Sequence, residues 1–184
     1  MKSANRSGQA YGFMALTPIK PGEEDALRAF LEGLRNRGPS PLSRLAATHM
    51  GRWVILRNFN WDPFYDQPDP DALSHPALIF STCFDGDLDP YLDELSEALA
   101  PEAPEIWGRC IGCPDPARGP GLKAYLEHNQ IDCGFFFAAY GSSTVAEVRA
   151  SLDQRDRLVA FATRTQGLGS AELHRAFVAE FPGR

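Results

Sequence analysis

Two runs decide the fold: THMGRWVILRNF, Thr48–Phe59, and, after a polar loop, HPALIFSTCFDGDLDPYLDEL, His75–Leu95. In the first, Met50, Val54 and Leu56 fall on one side of a period-of-two pattern, and His49, Gly51, Trp53 and Ile55 on the other. In the second, Leu78, Phe80, Thr82 and Phe84 alternate with Ala77, Ile79, Ser81 and Cys83. Both sides of both runs are largely apolar, whereas a sheet with one wet face places a polar residue at every second position. The pattern therefore predicts two strands of a sheet covered on both faces. Asp85-Gly86-Asp87 ends the second strand, and Asp87 is placed to cap a helix in which Leu88, Tyr91, Leu92, Leu95 and Leu99 form one stripe. Pro90 falls in the first turn, where its missing N–H has no helical partner to lose.

Working outward, residues 1–10 read as a flexible tail, and Tyr11–Ile19 as a first strand closed by Pro18, Pro21 and Gly22. A helix follows with Ala26, Leu27, Phe30, Leu31 and Leu34 on one face, Glu23, Glu24 and Asp25 at its start, and Arg35 and Arg37 at its end. The loop from Asn60 to Pro76 holds Trp61, Phe64 and Tyr65, which either pack back on the domain or close over a ligand. Beyond Pro101 the Gly/Pro-rich EIWGRCIGCPDPARGPG is irregular, a short helix spans Leu122–Asn129, and CGFFFAAY predicts a last strand, Cys133–Tyr140. Thr144 and Glu147 form a capping box for a long helix to about Thr165, and Ser170 is placed to cap a terminal helix with Leu173, Phe177 and Phe181 on one face.

The order strand, helix, strand, strand, helix, strand predicts an α+β protein: a ferredoxin-like βαββαβ antiparallel sheet with additional C-terminal helices. It reads as a single domain over 11–184, with the helical extension from about 144. The second sheet face needs a cover, for which the C-terminal helices and a second copy of the sheet are the candidates.

Composition narrows the function classes. The 184 residues carry a formal net charge of -6 and no basic run, which argues against a nucleic-acid partner. No apolar run approaches the roughly 20 residues that span a bilayer, and MKSANRSGQA lacks the apolar centre of a secretory signal, so the expectation is a cytoplasmic protein without a membrane partner. A small apolar ligand suits this composition better. Cys83 and Cys133 lie in apolar runs as small hydrophobes do, so no disulfide framework is expected.

His49 and Arg52 are the first candidates for chemistry. Three apart on a strand, they point to opposite faces unless Gly51 marks a bulge, and His49 shares its side with Trp53. His49 reads either as a proton donor, acceptor or metal ligand, or as a strand-end His bonded to a loop carbonyl. Arg52 is placed to pair with Asp85 or Asp87. Cys110-Ile-Gly-Cys113, with His128 and Cys133, has the spacing C-x2-C-x14-H-x4-C, which supplies a Cys3His zinc set in number and type, or else three structural thiols and a helix-end His. Trp107, Arg109, Tyr125, Phe135, Phe137 and Tyr140 either line a substrate cavity with Trp53 or belong to the core. His75 and His174 read as surface residues.

ALTPIKPG, THMGRWVIL, LIFSTCFDGDLDPYLDEL, IWGRCIGCP and GFFFAAYGSSTVAEVRASLDQRDRL together resemble a group of bacterial proteins of the ferredoxin-like, dimeric α/β-barrel type, over roughly residues 11–160. That group is distantly similar to dye-decolourising peroxidases and chlorite dismutase-like haem proteins, and its superfamily includes cofactor-free monooxygenases. The resemblance implies a pocket between the sheet and its cover and a homodimer. Haem-binding members carry two such units per chain or a longer second unit with the axial His; this chain has the length of one unit plus helices. Two functions follow as expectations. One is a small-molecule oxidoreductase of monooxygenase or peroxidase type holding an apolar substrate against the sheet, with His49 and Arg52 catalytic and Trp53, Trp107, Arg109 and Tyr140 around the substrate. The other is a non-catalytic binding or accessory protein that uses the second sheet face as an oligomer interface. The sequence fixes no cofactor; haem and zinc are the candidates.

Overall fold

The computed structural model describes residues 4–58, 72–115 and 117–182. Its strands are β1 (Arg6–Ser7), β2 (Ala10–Pro18), β3 (Thr48–Asn58) and β4 (Ala72–Asp85), joined in one antiparallel sheet of order β1-β2-β4-β3. The helices are α1 (Glu24–Leu34), α2 (Leu88–Ala98), α3 (Ala103–Ile106), α4 (Gly119–His128), α5 (Val145–Arg164) and α6 (Ser170–Glu180). The protein is thus of the α+β class. Two compact units divide it, Met1–Val145 and Ala146–Arg184. Among the described residues no helix is long and apolar enough to cross a membrane.

The period-of-two pattern sorts the sheet into two faces. On the first, Tyr11, Phe13 and Ala15 of β2 and Leu78, Phe80 and Phe84 of β4 are buried against Leu27 of α1 and Tyr91, Leu92 and Leu95 of α2. The 3.6-residue stripes of both helices supply these contacts, each fully buried Leu contributing about 1.5–3 kcal/mol of transfer energy. Phe84 stacks on Tyr91 with ring centroids 3.5 Å apart, and Phe80 meets Trp53 and Trp107, each at 5.4 Å. Gly51 belongs to this side because a Cβ there would stand 2.6 Å from Leu42 Cδ1.

The second face carries Met14 and Leu16, Ile79, Ser81 and Cys83, and Met50, Arg52 and Val54. The pattern predicts a cover here as well, yet Met50 is 63% and Val54 40% exposed. Phe136 reaches one end of this face, its ring lying 2.8 Å from where a Cβ on Gly12 would stand.

Several sequence expectations are corrected. Residues 133–140 form no strand, because the edge of β2 where a strand would pair is taken: β1 lies against Ala10–Tyr11, and the Gly12 N–H donates to Asn5 O at 2.8 Å. The segment bonds to that hairpin instead, Cys133 N–H to Asn5 Oδ1 at 2.7 Å and Ala138 N–H to Ser7 Oγ at 3.1 Å. Further along that edge lie two isolated bridges, from Gln130 to Ala15 and, just past β2, from Cys110 to Ile19. Residues 5–10, expected as tail, build the hairpin, and Asn5 is buried. Strand β4 begins at Ala72 rather than after Pro76, and the register shifts between Leu56 and Asn58, an irregularity in which Pro76 costs no ladder bond. Asp87 stands at the N-cap of α2 in extended geometry, but its carboxylate pairs with Arg6 instead of the helix N–H groups. Gly169, not Ser170, is the N-cap of α6. Trp61, Phe64 and Tyr65 lie outside the described residues.

In the second unit, α5 and α6 are held by Phe161, Phe177 and Phe181, whose ring centroids lie 5.1–5.7 Å apart, and by an Arg164–Glu180 ion pair at 2.8 Å.

Candidate functional site

A bulge brings the first two candidates together. Thr48 pairs with Phe84 and Met50 with Cys83, so His49 is the extra residue on β3. Alternation alone puts His49 beside Trp53 on the first face. With the bulge, its Nε2 lies 2.7 Å from Oδ1 of Asp85, which alternates with Cys83 and Ser81 on the second face. Arg52 shares that face, donating from Nε to Ser81 Oγ at 3.1 Å. Neither expected partner of Arg52 is its own: Asp85 holds His49, and Asp87 holds Arg6.

Asp85 does two things. Its Oδ2 accepts the N–H of Val145, the first residue of α5, at 2.7 Å, while Oδ1 orients the imidazole. A His held at one ring nitrogen presents the other for proton exchange, and His49 Nδ1 has no partner among the described residues. Beside this pair, burial and then the Asp85 carboxylate push the Cys83 thiol up, so it stays protonated.

The other expected substrate residues do not converge with His49 and Arg52. Trp53 belongs to the first face, stacked on Phe80. Trp107 is fully buried in the core. Arg109 is engaged by both Glu23 and Glu105, and Tyr140 is 77% exposed.

Nor are the four residues of the zinc spacing brought together. Among the described residues no three His, Cys, Asp or Glu side chains gather as a metal ion requires. Cys110 lies in the core with Thr17 Oγ1 donating to its sulfur at 3.4 Å, and Cys133 is tied through its backbone to Asn5. Burial pushes the Cys110 thiol up to about 11; burial, then the neighbouring Cys110, does the same for Cys113. His128 occupies the last turn of α4, where a cation complements the helix dipole.

A cleft of about 770 Å³ opens between the C-terminal half of α1, the connection that follows it, and β3, which is an edge strand of the sheet. Arg28, Glu32 and Arg35 line it from the helix, and Arg52, Trp53 and Ile55 from the strand. Among the described residues its lining offers no His, Cys, Met or Tyr that would ligate haem iron. Sequence reasoning missed Arg28 and Arg35 here; the basic end of a helix reads first as a complement to its dipole. It also missed the Asp85 partner of His49, whose signal was the bulge offered by His49-Met50-Gly51.

The fold and these placements define the class: an α+β protein on a four-stranded antiparallel sheet, with an apolar second face bearing a His–Asp pair. Among known protein families, curated proteins and solved structures, none matches the chain.

Proposed function

We propose that the protein is a non-catalytic binding or accessory protein that works as a homodimer, two copies meeting through the second face of the sheet. The observation that carries this is the exposure of Met50 and Val54 on that face, beside partly buried Met14, Leu16, Ile79 and Cys83. Each square ångström of apolar surface removed from water contributes roughly 25 cal/mol, and a two-fold contact buries the same patch twice. The chain order supports the finer reading of a ferredoxin-like βαββαβ sheet whose last strand has shrunk to the Gln130 bridge. In that reading α1 and α2 cover one face and the partner copy the other. The test is sedimentation at micromolar concentration. The wild type is expected to run as a dimer and Met50→Lys as a folded monomer; a monomeric wild type overturns the proposal.

One observation favours a second reading, an oxidoreductase acting on an apolar small molecule held against this face: the His49–Asp85 pair at its end. On that reading His49→Ala abolishes turnover in a screen of apolar monooxygenase and peroxidase substrates while leaving the dimer intact. A wild type inactive throughout the screen counts against it.

A further inference from the structure

Two of the residues lining the α1–β3 cleft carry buried N–H groups without an acceptor: Trp53 Nε1 and Arg28 Nε. A buried donor left unpaired costs about 1–3 kcal/mol, but both atoms lie behind the cleft wall, closed to anything in the cleft, so they mark a cost in the fold and not a contact for a ligand. What distinguishes the open surface of the cleft is its charge. Among the described residues of its lining, three arginines, Arg28, Arg35 and Arg52, stand with one acid, Glu32, in a chain of net charge -6. Arg28 shares Glu24 with Arg57, Arg52 binds only the neutral Ser81 hydroxyl, and Arg35 is exposed with no side-chain partner among the described residues.

A blander account makes Arg35 a complement to the negative end of α1. That account covers Arg35 alone. The dipole is worth about half a charge and falls off within a turn, and it does not explain Arg52 on β3. The cleft is not polar throughout, since Leu31, Leu34 and Ile55 also line it.

We propose that this cleft binds a small organic anion, a molecule with one acidic group on an apolar body. The acid sits among the guanidinium groups, where charge-assisted bonds are strongest. The apolar body lies along Leu31, Leu34 and Ile55. Arg52 is shared with the second sheet face, whereas Arg28 and Arg35 belong to α1 on the other side, so variants of those two test this site without touching the proposed dimer face.

The probe is 1-anilinonaphthalene-8-sulfonate, compared with N-phenyl-1-naphthylamine, which has the same aromatic body without the sulfonate. The expected result is saturable binding of one sulfonate per chain, with the neutral amine binding more weakly. R28Q/R35Q is expected to weaken the sulfonate about tenfold or more and leave the amine unchanged, because only charged bonds are lost. R35Q alone alters an exposed side chain and keeps the test valid if the double variant fails to fold. Binding that ignores the sulfonate, or that survives the arginine variants undiminished, overturns the proposal.

Discussion

The Tyr91 hydroxyl joins three elements: it lies 2.9 Å from Thr48 Oγ1 on β3 and 3.0 Å from Thr82 Oγ1 on β4, while its own ring belongs to α2. Thr82 also donates to the Met50 carbonyl at 2.9 Å, beside the bulge that turns His49 to the second face. A buried network of this kind holds its geometry because each member would be costly to leave unpaired. Tyr91→Phe keeps the stack on Phe84 and removes the shared oxygen, so the expected loss is about 1–3 kcal/mol, read as a lower urea midpoint by circular dichroism. An unchanged midpoint would mean that water replaces the hydroxyl at no cost.

At the scale of elements, what the sequence disclosed follows from periodicity. The stripes of α1, α2, α5 and α6 and the alternation of β2, β3 and β4 each arise within one segment, so one segment suffices to read them. What it concealed depends on competition between segments. CGFFFAAY has every local property of a strand, but Arg6–Ser7 occupies the edge it would need, and nothing within residues 133–140 records that. Asp87 has the local chemistry of an N-cap, but an arginine 81 residues earlier takes its carboxylate. The bulge at His49 was legible only as a conditional, and it fell two positions before the Gly51 that suggested it. The site was less legible than the fold for the same reason. The His49–Asp85 pair and the cleft between α1 and β3 are both made by residues far apart in the chain.

At the scale of the whole molecule, ion pairs contribute little to holding the chain together, since most have at least one exposed member and such pairs are worth about 0–1 kcal/mol each. Stability rests on the apolar core, and its pH dependence on the titratable groups buried there. Cys110 and Cys113 have thiols pushed up from 9.0 to about 11 by burial, and Tyr125, whose hydroxyl donates to the Ile111 carbonyl at 2.8 Å, is pushed up by burial as well. In each case the fold favours the protonated form. A group whose pKa is raised on folding contributes stability that is fully present below its unfolded pKa and lost as pH rises through the folded one. The thiol contribution is therefore complete below pH 9.0 and gone above about 11, with Tyr125 acting in the same direction from its ordinary value of 10.0 upward. Urea midpoints measured across that window are expected to fall steeply for the wild type and less steeply for Cys110→Ala, which has one thiol fewer to ionise. The comparison is of slopes, because removing the sulfur also leaves a small cavity that lowers the midpoint at every pH. Equal slopes for the two proteins would show that Cys110 meets water readily and that its place in the core does not govern its titration.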